Sequence, residues 1–242
     1  MVDRLVVTTL DEPSLVYEMH GGEKIAQWKC LARRNNLFGP WEAVECSWLP
    51  PGGASGEHLH SRTEQFDYIV SGSGVMTIDG TDHPVTAGDL ITTCLGTRHG
   101  IRNVGTSDLV WLVIEVSGPG MTGAAPPTPD RHARDVRAEV IKLREVRDVD
   151  ALEYLAGPLR RARLVHLSPT ETETLVADDQ EHVLFTLGGT GHAVTRSATV
   201  PLRQGVSVGV PFRGGVTVQA GPQGLEFFVV SLAVPANAGG AK

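Results

Sequence analysis

The chain repeats itself. Adding 117 to the numbers of residues 64–113 places Glu64 on Glu181, Gly72 on Gly189, Gly74 on Gly191, Pro84 on Pro201, Gly88 on Gly205 and Val113 on Val230, with no gap over about 50 positions. Tyr68 falls on Phe185, Val70 on Leu187 and Trp111 on Phe228, so apolar strand positions recur in register with the turn residues. The openings LVVTTLDE (Leu5–Glu12) and EVIKLRE (Glu139–Glu145) also resemble each other. Two copies of one strand-and-turn framework are expected. Between them Ser117–Asp130 (SGPGMTGAAPPTPD) reads as a flexible or extended linker, which sets a boundary near residue 125 and domains of 1–125 and 126–242.

Each copy reads as β. FDYIVSG, GVMTIDG, DLITTC and LVWLVIEV are short β-branched or aromatic runs bounded by Gly, Asp and Asn, and HVLFTLGG, GVSVGV, GVTVQA and EFFVVSLAV answer them in the second copy. IDGTDH carries an Asp-Gly hairpin step. The 28 Gly and 15 Pro favour short strands over long helices, and strands about ten residues apart indicate a sandwich or barrel. The charged stretch Asp130–Tyr154 allows a helix as well as strands.

Three histidines and one acid stand out. His58 and His60 are two apart, so on a strand they share a face. Glu64 lies at an even offset and joins that face if the strand continues or re-enters after a bend. His99 must come from another strand. Three imidazoles and a carboxylate form a mixed N/O set suited to Fe(II), Mn(II), Ni(II), Co(II) or Zn(II). Four protein ligands leave two positions open on a six-coordinate ion.

Gly52–Gly72 (GGASGEHLHSRTEQFDYIVSG) resembles the first cupin motif, a Gly followed by HxH, three residues, Glu and a later Gly. Gly88–Asn103 resembles the second, with Cys94 where the family has Pro; the second copy keeps Pro211 at the matching place. The resemblance implies an all-β bicupin of two tandem jelly-roll barrels, with His58, His60, Glu64 and His99 as metal ligands. At the repeat offset the three histidines become Leu175, Ala177 and Val216, and only the carboxylate survives, as Glu181. One divalent ion per chain is therefore expected, in the first barrel, with Fe(II) favoured.

The resemblance is specific for fold and metal and open for reaction. The expectation is a metal-dependent enzyme, a dioxygenase favoured over an isomerase, cyclase or decarboxylase, acting on a small oxygenated, enolisable or aromatic compound. A two-barrel chain with metal only in the first barrel also resembles some flavonol-cleaving bicupins. A non-catalytic ligand-binding cupin is the rival class. Phe66, Tyr68 and Val70 follow Glu64 at even offsets and are expected as an apolar cavity wall with one hydroxyl. Tyr68 is the candidate proton or hydrogen-bond donor, or else a packing residue. Asn103 either orients substrate or closes a turn. Arg33–Asn36 is a lid or an ordinary loop, and His20, His132, His166, His182 and His192 have no partner spacing.

The remaining features bound the partners. A net charge of −7, with no basic tail or helix-turn-helix pattern, argues against nucleic acid. No apolar run reaches the ~18 residues of a membrane span. The opening MVDRLVVTTLDEP lacks a signal-peptide pattern, and three cysteines without a CxxC pair suit reduced thiols, so a cytoplasmic setting is expected. Cys30 and Cys46 allow one bridge as the alternative. Sheet edges allow a homodimer.

Overall fold

The computed structural model describes residues 4–120 and 137–234, so the expected boundary near residue 125 lies outside the described residues. The short β-branched runs become nineteen strands among those residues. The first copy supplies β1 (Val6–Thr8), β2 (Ser14–Tyr17), β3 (Ile25–Ala32), β4 (Trp41–Leu49), β5 (Ala54–Leu59), β6 (Thr63–Ser71), β7 (Ser73–Ile78), β8 (Thr81–Thr86), β9 (Leu90–Thr93), β10 (Arg98–Asn103) and β11 (Leu109–Ser117). The second supplies β12 (Val140–Ile141), β13 (Asp148–Asp150), β14 (Leu159–Leu167), β15 (Thr172–Val176), β16 (Gln180–Val194), β17 (Thr199–Arg203), β18 (Ser207–Val210) and β19 (Gly215–Ala233). The described part of the stretch that allowed a helix forms two short turns, α-helical at Leu143–Val146 and 3-10 at Ala151–Glu153, among its strands. No helix among the described residues is long and apolar enough to cross a membrane.

All pairings are antiparallel, and the architecture is two jelly rolls. In the first, a sheet ordered β12-β9-β6-β11-β4-β3-β2 faces one ordered β5-β10-β7-β8. In the second, β16 and β19 run through the whole barrel, within a sheet ordered β1-β18-β16-β19-β14-β13 that also carries β15 and β17. The Asp-Gly step behaves as its chemistry requires: Asp79 and Gly80 both have positive φ, 46° and 78°, in the tight turn between β7 and β8.

The two copies exchange their first strands. β1 pairs with β18 in the second barrel (Val7 opposite Val208), and β12 pairs with β9 in the first (Val140 opposite Ile91). The similar openings LVVTTLDE and EVIKLRE are thus the two exchanged strands, each covering an edge that the other copy leaves open. Strand pairing therefore crosses the expected 1–125 and 126–242 division in both directions.

Three apolar clusters follow from the alternation. Ile69, Met76, Ile91 and Trp111 pack inside the first barrel. Leu175, Ala177, Leu184, Val216 and Phe227 fill the second. A third cluster lies between the barrels and joins Phe66, Tyr68 and Ile114 to Leu164, Phe185, Phe228 and Leu232. Each large side chain buried there contributes about 1.5–3 kcal/mol of transfer free energy, so the barrels are held as one body.

Candidate metal centre

His58 is the penultimate residue of β5, His60 lies just past its end, and His99 lies on β10, which pairs with β5 so that His99 is directly opposite His58. Ligand nitrogens of the three imidazoles lie within 4.8 Å of one another. The Nε2 atoms of His60 and His99 are 2.9 Å apart. Two ligands about 2.1 Å from one ion and at right angles stand about 3 Å apart, so this spacing suits a shared metal.

The opposite ring nitrogens are held by the protein. His58 Nδ1 lies 3.1 Å from the Gly56 carbonyl oxygen. His60 Nδ1 is 3.1 Å from Thr63 Oγ1, whose hydroxyl donates to Glu115 at 2.7 Å. His99 Nδ1 lies 3.3 Å from Thr93 Oγ1 and 3.7 Å from Asp67 Oδ2. Such partners fix ring orientation and tautomer, leaving Nε2 lone pairs for a cation. Burial, helped by neighbouring histidines, lowers His60 to about 4 and His99 well below the ordinary imidazole range, so both rings are neutral near pH 7. The donor set fits a borderline divalent ion, and the group could hold one. It is the one such group among the described residues.

Glu64, expected as the fourth ligand, is not in this group. Its carboxylate accepts hydrogen bonds from the backbone N–H groups of Ala156 (3.1 Å) and Gly157 (2.6 Å) in the second copy. The reason is strand parity. The turn at Ser61–Arg62 resets the alternation between His60 and β6, so residues 64, 66 and 68 face the other barrel and residues 65 and 67 face the histidines. Tyr68 is displaced for the same reason. It is 1% exposed and stacks on Phe228, with ring centroids 4.7 Å apart, in the core between the barrels. Burial pushes its hydroxyl up to about 12. The expected wall of Phe66, Tyr68 and Val70 is an inter-barrel face, and none of the three lines the cavity.

The cavity beside the histidines has a volume of about 430 Å³. Its wall combines Trp28, Met76, Ile101 and Trp111 with Gln65, Glu45, Asp67 and Glu115. Gln65 Nε2 donates to both oxygens of Asp67 at 2.8 Å. Burial raises Asp67 to about 7, against the opposing effect of Gln65. Asn103 closes a turn, donating to Leu49 and Ser107 carbonyls and accepting from Gly105 N–H. Asn35 and Asn36 border a separate cavity near Val6 and Pro211, so the Arg33–Asn36 stretch is no lid over the histidines. Cys30 and Cys46 are not joined in a disulfide, which removes the Cys30–Cys46 bridge.

His20 is the residue that spacing did not find. It lines the same cavity, with its ring centroid 3.8 Å from that of His58 and its Nδ1 2.9 Å from Ser55 Oγ. Glu18, His20 and Lys24 all have positive φ (48°, 51° and 65°), a clustering uncommon for residues with side chains. The segment is pressed against β5: a Cβ on Gly22 would stand 2.0 Å from the Ala54 carbonyl oxygen, and one on Gly56 2.3 Å from that of His20. No local pattern marks a histidine placed by a strained loop more than thirty residues before its partner.

At the offset positions of the second barrel, Leu175, Ala177 and Val216 are buried in apolar packing. His182, the counterpart of Gln65, has Nδ1 2.9 Å from Ser231 Oγ and Nε2 2.9 Å from the Val176 carbonyl oxygen.

Comparison with known proteins agrees with this geometry. Residues 48–115 match the Cupin domain family. An oxalate-binding protein of Thermotoga maritima is 31% identical over 102 residues, 42% of this chain and 84% of the relative. Among solved structures, the bacterial pirin YhhW of Escherichia coli in complex with nickel(II) superposes with a TM-score of 0.69 at 14% identity, covering 95% of this chain and 99% of that one. A salicylate 1,2-dioxygenase mutant from Pseudoaminobacter salicylatoxidans, in complex with gentisate, gives a TM-score of 0.64 at 16% identity, covering 84% and 73%. These two structural likenesses show a shared fold.

Proposed function

Because the chain belongs to the cupin family, we propose that it is a metal-dependent enzyme whose ion is held by His58, His60 and His99, most simply an Fe(II) dioxygenase acting on a small oxygenated, enolisable or aromatic compound. The observation that carries this reading is the convergence of three imidazoles whose outer nitrogens are already engaged. Three neutral ligands leave three positions of a six-coordinate ion, enough for a chelating substrate and O2 together. Bound there, the metal supplies Lewis-acid stabilisation of a substrate anion and, if iron, access to O2. Mn(II), Ni(II), Co(II) and Zn(II) fit the same donors.

The chain's own groups set the surroundings. Trp28, Met76, Ile101 and Trp111 give the cavity an apolar wall that excludes water and suits a planar substrate. Asp67 and Glu115 offset a dication through His99 and Thr63. Asp67, held by Gln65 at both oxygens and set against His99, steadies that ligand from the cavity wall. A second reading, a cupin that binds a ligand without turning it over, is favoured by the name of the oxalate-binding relative.

The test is elemental analysis of protein purified without added metal, with oxygen uptake on a panel of enolisable and phenolic compounds. One ion per chain and oxygen consumption, both lost in His60→Ala, are expected. Turnover without oxygen would move the reaction to isomerisation, cyclisation or decarboxylation. Tight binding with no turnover would select the second reading.

A further inference from the structure

The cavity wall is unbalanced in charge. It carries Glu45, Asp67 and Glu115, and no lysine or arginine lines it. Two of the acids are accounted for: Asp67 sits against His99 and accepts from Gln65, and Glu115 accepts from Thr63, which supports His60. Two carboxylates match the charge of one divalent ion held by neutral imidazoles. Glu45 is the third: Glu115 repels it, and Arg33, the cation that attracts it, stands outside the cavity. Val113 pairs with Glu45 on one side and Asp67 on the other, so the two acids face the cavity two strands apart, about 10 Å at ordinary strand spacing. Trp28, on the strand paired with that of Glu45, and Trp111 line the same wall as Glu45. A carboxylate beside aromatic faces is the environment that desolvates and holds an organic cation.

Building on the metal-centre reading above, we infer that the substrate is an amine or other organic cation that places a metal-binding oxygen at the histidines and its positive nitrogen between Glu45 and Trp28. A cavity of about 430 Å³ that reaches from the histidines to Glu45 and Trp28 accommodates one ring and a short arm. The same charge pattern disfavours a small dianion such as oxalate, which would meet three carboxylates and find a cationic partner in the metal alone.

Three probes that share a chelating oxygen pair separate the possibilities: 4-methylcatechol, 4-(2-aminoethyl)catechol and 3,4-dihydroxyphenylacetate, titrated without oxygen into the metal-loaded protein. The ammonium arm is expected to bind at least about tenfold tighter than the methyl arm, and the carboxylate arm weaker than both. In Glu45→Gln that ammonium advantage should fall to within about threefold, while metal content and 4-methylcatechol affinity stay unchanged. An ammonium arm that gains nothing, or a gain that survives in Glu45→Gln, overturns the inference. Failure of the metal reading is seen separately, as protein without bound metal that ignores all three catechols. The charge preference is then read in chelator-treated protein by tryptophan fluorescence with phenethylamine and phenylacetate. Preference for phenethylamine, lost in Glu45→Gln, upholds it, and equal binding of the two rejects it.

Discussion

Glu64 and Glu181, related by the 117-residue repeat, are a reciprocal pair: each buried carboxylate crosses to a loop of the other copy, the one before β14 for Glu64 and the one before β4 for Glu181. Glu64 accepts from Ala156 and Gly157 just before β14. Glu181 accepts from Phe38 and Gly39 just before β4, and also from Trp41 Nε1 and Phe212 N–H. Each barrel thus closes a loop of its partner, beside the apolar cluster that both share. In the second copy, where the three histidine positions hold Leu175, Ala177 and Val216, the remaining carboxylate has four N–H donors in the architecture itself.

Glu64→Gln should therefore lower stability and leave metal content at the wild-type level. An amide offers one acceptor oxygen to two N–H donors, and a hydrogen bond to a charged group is worth about 1.5–3 kcal/mol, so a loss of about 2 kcal/mol is expected in urea unfolding. Glu181→Gln, facing four donors, should lose more. Loss of the ion in folded Glu64→Gln would restore Glu64 as a ligand.

The glycines under these carboxylates are equally constrained. A Cβ on Gly157 would stand 2.4 Å from Glu64 Oε2, and one on Gly39 would stand 2.4 Å from Leu232 Cδ2. Gly157→Ala should destabilise by about 1–3 kcal/mol. In a double-mutant cycle with Glu64→Ala the two losses should be sub-additive, because the clash and the hydrogen bonds share one carboxylate. Additive losses would show that the contact is not the cause.

The repeat, the β class and the three histidines were legible because they rest on residue type and register within single strands. Glu64 and Tyr68 were misplaced because the i, i+2 rule was carried across the Ser61–Arg62 turn, where parity is set by the turn's path and not by spacing. A clue was present: Glu181 persists where all three histidine positions have become Leu175, Ala177 and Val216. The strand exchange was visible as similar openings, but pairing partners so distant in sequence are set by the assembled barrels. His20 was illegible for a related reason, since its position depends on a strained turn seated on Ser55 and Gly56.

The outer nitrogens of the histidines make a prediction about metal affinity. Thr63→Val keeps the shape but removes the hydroxyl linking His60 to Glu115. Loss of such a supporting partner commonly weakens a site by about 10–100-fold, so competition with a chelator should show a drop in that range. Folding stability without metal should change far less. Unchanged affinity would mean that His60 is not oriented through Thr63.

Thiol labelling tests the packing around the cysteines. Cys30 is partly exposed, whereas Cys46 and Cys94 are buried. Burial also pushes the Cys46 thiol up, away from the reactive thiolate. One thiol per chain should react quickly in the folded protein and three after denaturation. One thiol per chain after denaturation without reductant would reveal a bridge within the chain.

His182 gives the second barrel a pH dependence of its own. Burial lowers its pKa from the ordinary 6.5, outweighing the opposing hydrogen bond to Val176. The unfolded chain therefore binds a proton that the folded barrel refuses. His182 contributes its full stability above about pH 6.5, and the contribution is lost as pH falls through that value toward the lower folded pKa. His20, His60 and His99 act in the same direction, so the comparison must be made with a variant. His182→Gln installs the residue that the first barrel carries at the matching position, Gln65, and cannot titrate. Urea midpoints of the wild type should fall more steeply than those of His182→Gln between pH 7 and pH 5. Parallel curves would mean that His182 does not exclude a proton in the folded state, and that the acid sensitivity belongs to the histidines of the first barrel.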